Sequence, residues 1–486
     1  MLLPSLMTST LLGLQRIVQK NRIIESSTSL SASSARRSFG QLVSADLEFL
    51  SRMNDPSCPC CSFGGRNLFL PWDDTKDTGV ESVRGVGGKL SAAAATGDVM
   101  SPVEAWQTII SARADGEQVL QPIALVDTHG HPHLERKVEY ASQGGDELLF
   151  SKNDEANVVV SVTCAVSPAD WSDALEYACN SQQILPALGV HPWYLGDIQI
   201  KQKILESKDN ESNTDEPSNI EQFLHWEWLS ELETKLSQHP NLIVGEIGLC
   251  KMARFVREFP KVLGGKATAL QLQKIVFKKQ MKLAANWKRP VTVHCVNAHG
   301  MMMETLKELL HEAEEQERMH SNDINNSSEN DSMATVRRNA FPSAIALHSF
   351  TGTSHHVQQI LDFERQILYP ELVQARGKKQ RGKKHQEGKD FQSGTDILFY
   401  FGFSHSVNYV MCTSEKAKHK GVEAVQAIPS DRLLIESDVH ATEDVILGTA
   451  GAAAYAAHAR GESLELVAKK TTRNGLRFIS SLSSGT

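Results

Sequence analysis

From Ile123 onward the chain alternates between short apolar runs and longer stretches with helical periodicity. The apolar runs are 123–131, 157–166, 184–191, 242–249, 290–296, 344–350, 396–404 and 432–438. The helical stretches are 169–180, 219–238, 268–287, 300–318, 354–364, 414–427 and 462–481. Runs that are apolar throughout mark strands buried on both faces, as in a parallel sheet covered by helices. Eight such runs predict an α/β fold of the TIM type, a (β/α)8 barrel. An open doubly wound sheet is the competing arrangement. It is disfavoured because no glycine-rich dinucleotide fingerprint follows the first run.

The chain has 486 residues, of which 41% are hydrophobic and 22% charged, enough apolar content for a large core. Its net charge of -8 excludes a globally basic nucleic-acid binder, though not a local phosphate site. No apolar run is long enough to span a bilayer, so no membrane association is expected. Of the eight cysteines, Cys164, Cys179, Cys250, Cys295 and Cys412 are scattered through predicted elements, which fits reduced, intracellular thiols, cytoplasmic or nuclear. Cys58, Cys60 and Cys61 cluster around Pro59, and either a zinc-binding knuckle or an incidental loop fits them. Residues 1–118 read as an extension, disordered or targeting, before a barrel over 119–486. Its first 45 residues are rich in Arg and Ser with one acid, Glu25, which suits either a mitochondrial transit peptide or a disordered tail. Met7 and Met53 offer alternative starts. Polar, disordered insertions are expected near 206–218, 319–340 and 376–390, the last rich in Lys and Arg.

Polar residues collect at the C-terminal ends of the predicted strands, where a barrel builds its active site. The first run ends in His129 and His131, which share a face if the run is a strand. The third ends in His191, the fourth contains Glu246, the fifth His294, the sixth His348, the seventh Ser404, and the eighth Glu436 and Asp438. Each alone has an ordinary reading: His348 as a strand-end cap, His191 as a turn residue before Pro192, Glu246 as a solvent-facing group, Asp438 as a helix N-cap. Together they are an inventory for divalent metal, because a buried charge inside a strand is costly unless paired or metallated. A Glu can bridge two ions, imidazoles complete each shell, and two ions can clamp the attacking and leaving oxygens of a displacement at phosphorus. Mixed nitrogen and oxygen ligation suits zinc, manganese or magnesium.

The motifs DTHGH (127–131), GVHPW (189–193), GEIGL (245–249), PVTVH (290–294), HSFTG (348–352) and ESD (436–438), with NGLRF (474–478), resemble the TatD family of metal-dependent deoxyribonucleases, a branch of the amidohydrolase-type barrels. The resemblance spans about residues 123–480. HPWYL (191–195), HCVNAHG (294–300), YFGFSHSVN (400–408) and LLIESDVH (433–440) carry a closer likeness to a fungal and protist subfamily described as interacting with an anaphase-promoting-complex subunit. The resemblance implies two divalent ions and hydrolysis of DNA phosphodiesters. His129, His131 and Asp438 would hold one ion, Glu246 would bridge, and His294 and His348 would hold the second. Asp438 would also act as general base, with His191 near the substrate phosphate as a contact more than a ligand. From its place at the end of the seventh run, Ser404 is also expected against the substrate, and His133 outside the site because Pro132 ends the first strand.

Two positions depart from the family pattern. Cys250 stands where an Asp usually follows GEIGL, and Val296 stands where many members carry an Arg. Cys250 can pack, hydrogen-bond weakly, or act as a softer ligand. Two rivals to the nuclease reading remain at this level: a hydrolase of small esters or amides on the same site, and a non-catalytic interaction protein in a cell-cycle complex.

Overall fold

The structure, a computed structural model, describes residues 123–134, 156–181, 183–199, 220–321, 329–369, 397–412 and 414–482. The N-terminal extension, the Cys58–Cys61 cluster and the insertions expected at 206–218 and 376–390 lie outside the described residues.

The described residues form eight strands: β1 (Ile123–Gly130), β2 (Ala156–Cys164), β3 (Ile184–Leu188), β4 (Ile243–Cys250), β5 (Val291–Val296), β6 (Ile345–Leu347), β7 (Phe399–Ser404) and β8 (Leu433–Glu436). Each pairs in parallel with the next, in the order β1 to β8. The α-helices among the described residues are α1 (Trp171–Cys179), α2 (Glu227–Gln238), α3 (Arg254–Glu258), α4 (Gly265–Asn286), α5 (His299–Ser321), α6 (Glu329–Asn339), α7 (Ser354–Leu368), α8 (Glu415–Ala427), α9 (Val445–Arg460) and α10 (Leu464–Ser480). This is the expected (β/α)8 arrangement, and every predicted strand is found within a few residues of its expected bounds.

The last strand returns to the first across a seam of specific hydrogen bonds. Asp438 N donates to His129 O at 2.9 Å and His131 N to Val439 O at 2.7 Å. The buried carboxylate of Asp127 receives Ser437 N at 2.8 Å and Ser437 Oγ at 2.7 Å. Asp127 therefore works as a staple between β1 and the end of β8. From outside, α10 presses on the seam. Asn474 donates to Ser430 O and Leu433 O. At Gly475 a Cβ would come within 2.7 Å of Val126 Cγ1, so the helix can lie this close to β1 only without a side chain there. That accounts physically for the NGLRF motif. The core at this end joins Val162, Ala346, Tyr400 and Leu434 of the strands to Phe478 of α10.

Two expectations are corrected and one element is added. The stretch 319–340 was expected as an unstructured insertion; instead α5 runs to Ser321, and Glu329–Asn339 forms α6. Arg337 is paired with Glu314 at 2.6 Å, and Arg338 caps the carbonyls of Pro342 and Ser343. Those bonds give a polar sequence the partners that composition alone did not reveal. The stretch 219–238 is not one helix but a 3-10 turn, Ile220–Phe223, followed by α2. Finally, α9 had no sequence expectation at all. Its side chains are buried nearly all round, so it has no polar face and no amphipathic period to detect. Among the described residues, no helix is long and apolar enough to cross a membrane.

Candidate metal centre

Glu246 is the pivot. It lies in β4 with 2% exposure, so it does not face solvent. The sheet admits it here because Gly248 follows two residues later. Gly248 has φ +151°, and a Cβ on it would meet His294 O at 2.0 Å. Only glycine lets β4 approach β5 this closely.

The two carboxylate oxygens of Glu246 divide the imidazoles into two sets. Oε2 faces His129 Nε2 at 3.4 Å and His131 Nε2 at 3.3 Å. Oε1 faces His348 Nε2 at 2.7 Å, His294 Nδ1 at 2.9 Å and His191 Nε2 at 3.1 Å. Asp438 joins the first set, with Oδ1 3.8 Å from His131 Nε2. Among the described residues, three groups bring ligand atoms within 4.8 Å of one another: His129, His131 and Asp438; His129, Glu246 and His348; His191, Glu246 and His294. All six residues expected as ligands therefore converge at the C-terminal end of the barrel.

Local structure fixes each of them. His129 and His131 leave β1 on one side of the sheet, as the two-residue period requires. Their rear nitrogens are tied down: His129 Nδ1 meets Thr292 Oγ1 at 2.8 Å, and His131 Nδ1 meets Cys164 O at 2.6 Å. Asp438 occupies the left-handed region, φ +52°, and its Oδ2 receives Ser349 Oγ at 2.7 Å. Strained backbone of this kind persists only where the surroundings over-determine it. Two buried glutamines of α4 fasten the neighbouring loops. Gln280 bonds both backbone groups of Val190 beside His191, and Gln273 holds Cys250 N and O and Pro192 O.

The charges follow from this packing. Burial alone would raise the pKa of Glu246, but His191, His348 and His129 hold its carboxyl well below the usual carboxylate range. Burial opposes protonation of His348, yet the charge of Glu246 raises it well above an ordinary imidazole. His294 is raised to about 9 against its burial by hydrogen bonds to Cys250 and Glu246. His191 is lowered to about 4, chiefly by burial. Asp127 is pushed up to about 7 by burial and takes no part in the cluster.

Two residues stand differently from expectation. His191, expected against the substrate, is packed among the ligand atoms. Ser404, also expected against the substrate, is fully buried, and its hydroxyl bonds Ser349 Oγ at 2.6 Å. It thus reaches the centre through Ser349 and Asp438. His133 is tied to Thr163 and Asp170, away from the ligand groups, as expected. Glu436 lies behind His348, receives Ser349 N, and has Oε1 3.6 Å from His348 Nδ1. Sequence reasoning missed Thr292 and the Cys164 carbonyl. Thr292 had a signal, since it lies two residues before His294 on the same strand face.

The chain matches the family described as TatD related DNase over residues 126–373. Cut9-interacting protein scn1 of Schizosaccharomyces pombe is 22% identical over 346 residues, covering 66% of this chain and 88% of that protein. An uncharacterized deoxyribonuclease of Saccharomyces cerevisiae, YMR262W, is 27% identical over 183 residues, covering 32% of this chain and 56% of its own length. Among solved structures, the TatD homologue YJJV of Escherichia coli aligns with a TM-score of 0.42 at 17% identity, covering 73% of this chain and 97% of that one. With the family match spanning just over half of its length, the chain belongs to the TatD related DNase family and is a metal-dependent hydrolase acting on ester bonds.

Proposed function

We propose that the chain is a two-metal deoxyribonuclease. The observation that carries this reading is the division of labour at Glu246: one oxygen faces His129 and His131, the other faces His191, His294 and His348. The donor set fits divalent cations. It offers imidazole and carboxylate only, it is buried, and its hydrogen bonds leave the inner nitrogens and oxygens turned on one another. His129, His131 and Asp438 would hold one ion, His294 and His348 the other, with Glu246 between them and His191 beside the second. Zinc, manganese and magnesium are the ions this chemistry admits. Ions held here would polarise a phosphoryl oxygen and lower the pKa of water.

The chain's own groups supply the remainder. Asp438, oriented by Ser349, accepts the proton of the attacking water. Glu436 and Thr292 keep His348 and His129 in place. DNA is the substrate favoured by the family. The fission-yeast relative is named for an interaction with Cut9, which supports an additional protein partner for this chain. The five described cysteines are all free, which favours a reducing compartment, cytoplasm or nucleus; fractionation of cells would separate these from the mitochondrion.

The test is metal analysis of the purified protein combined with hydrolysis of end-labelled DNA by wild type and Glu246→Ala. Two ions per wild-type chain are expected. Fewer than two, and a fall in rate of at least about a thousandfold, are expected for the variant, since charge stabilisation by metal contributes several kcal/mol. Unchanged hydrolysis in the variant would overturn the mechanism. Cleavage of model esters but not of DNA would replace the substrate.

A further inference from the structure

The loop that follows β8 carries an imidazole that the metal centre does not use. Asp438 N donates to His129 O, and Val439 O accepts from His131 N, so the backbone here is fastened to β1. Further along, Asp444 N donates to Ala441 O, and the hydroxyl of Thr442 meets that of Tyr177 at 3.1 Å. His440 lies between these two anchors, and its place is set by the fold. Its ring stands at 90° to that of His131, with centroids 5.4 Å apart. It belongs to none of the three ligand groups. It is partly exposed, whereas His129, His131, His191, Glu246 and His348 are buried. His133 also neighbours His131, at 6.5 Å, but Thr163 and Asp170 occupy both of its nitrogens and its side chain is wholly buried. Among the described imidazoles on the first-ion side, only His440 is both outside the ligand groups and open to solvent.

We propose that His440 is a substrate-contact residue: its ring N–H donates to an oxygen of the DNA phosphate next to the one being cleaved. The inference rests on the deoxyribonuclease reading and adds a second point at which that site grips the strand. With a net charge of -8 the chain exerts no general attraction on DNA, so its phosphate contacts must be local. On the second-ion side, Val296 stands where many family members carry an Arg, and that departure removes one such contact. The imidazoles packed round Glu246 are turned inward on its carboxylate, and the phosphate being cleaved would lie over them. His440 is set one ring's width outside that layer, where the strand continues. A neutral imidazole carries one ring N–H in either tautomer, so the contact requires no change of charge. A hydrogen bond to an ionised phosphate is stronger than a neutral one, and contacts of this kind position a strand without reading its sequence.

The experiment uses the full chain, loaded with zinc, as wild type, His440→Ala and His440→Gln, with end-labelled DNA as substrate. His440→Ala is expected to raise KM about 10- to 100-fold, the effect of losing a hydrogen bond to a charged group, and to leave kcat unchanged. His440→Gln keeps an N–H and should recover most of that loss. DNA carrying one uncharged methylphosphonate linkage separates a contact from general damage. With that linkage next to the cleaved bond, on one side or the other, wild type and His440→Ala should share the same KM; with it further away the difference should remain. Calorimetric titration with zinc should give the same affinities in all three proteins. Equal KM for wild type and His440→Ala on natural DNA, or a penalty that survives the uncharged linkage at both neighbouring positions, would overturn the proposal. So would loss of the first ion in His440→Ala, which would make His440 a prop for His131. If wild type does not cleave DNA, the deoxyribonuclease reading fails. Binding of the same DNA, followed by fluorescence anisotropy, then judges His440, and equal affinity in wild type and His440→Ala overturns its role.

Discussion

The two halves of the centre are built by different means. On the β1/β8 side, His129 and His131 are oriented by neutral hydrogen bonds, and the backbone beneath them is stapled by Asp127 to Ser437. On the β3–β6 side, His191, His294 and His348 crowd a single oxygen of Glu246. There, His294 Nε2 and His348 Nδ1 are buried without a hydrogen-bond partner among the described residues. The first half is held by its scaffold whatever the state of Glu246. The second is held largely by the charge of Glu246. A site whose ligands are fixed in advance binds its ion at lower reorganisation cost. Two unequal metal affinities are therefore expected, with the tighter ion at His129, His131 and Asp438.

The largest effect is expected from removing a ligand on the scaffolded side. His131→Ala should abolish binding of the tighter ion and lower hydrolysis at least about a thousandfold, because several kcal/mol of charge stabilisation depend on it. His294→Ala should release only the weaker ion. Zinc titration of both variants checks this; equal loss of both ions in both would break the asymmetry. Asp127→Ala comes next, acting on the seam rather than on a ligand. It leaves Ser437 N, Ser437 Oγ and Ser161 Oγ without their acceptor in a fully buried place. Burying donors without partners costs about 1–3 kcal/mol for each group, so a loss of about 3 kcal/mol in urea unfolding is expected. The tighter ion should weaken with it, whereas an intact first ion would show that the staple serves only the fold.

The same contrast governs what was legible in the sequence. Strands announce themselves because a parallel sheet demands apolar residues on both faces, and a His or Glu inside such a run stands out. His129, Glu246, His294, His348 and Asp438 were all readable for that reason. Groups that hold them were not. Cys164 contributes a backbone oxygen to His131, which no residue type encodes, and a thiol 3.3 Å from His129 Nδ1. Ser404 looked like a substrate contact because it ends a strand, but its hydroxyl is consumed by Ser349. His191 was read among the strand-end polar groups but assigned to the substrate, and it sits 3.1 Å from Glu246. Helix α9 was invisible because burial on every side erases the period on which helix detection depends. The helix Glu329–Asn339 was hidden for the opposite reason: its polar residues find partners, such as Glu314 for Arg337, only in the folded chain.

A smaller effect sharpens the comparison from within the scaffolded half. Thr292→Val keeps the shape of the side chain and removes the hydroxyl at 2.8 Å from His129 Nδ1. The expected result is about a 10- to 100-fold weaker first ion with the second unchanged, read by the same titration. A shift in the second ion instead would place Thr292 in the service of its strand neighbour His294.

The smallest effect lies outside the centre and separates its pH behaviour from that of the fold. His405 follows β7, is buried against Gly451 and has an Nε2 without a partner among the described residues. Burial lowers its pKa from 6.5 to about 3. The unfolded chain therefore takes up this proton first as pH falls, and between about 6.5 and 3 the folded state loses stability by up to about 1.4 kcal/mol per pH unit. The contribution is fully present above 6.5 and is lost as pH drops toward 3. His405→Phe keeps a ring against α9 and removes the titration. Urea unfolding of wild type at pH 7 and pH 5 should differ by about 2 kcal/mol more than that of His405→Phe. An equal pH dependence in the two proteins would transfer acid sensitivity to the imidazoles around Glu246, and metal-loaded protein, whose imidazoles resist protonation, would then be the more acid-stable form.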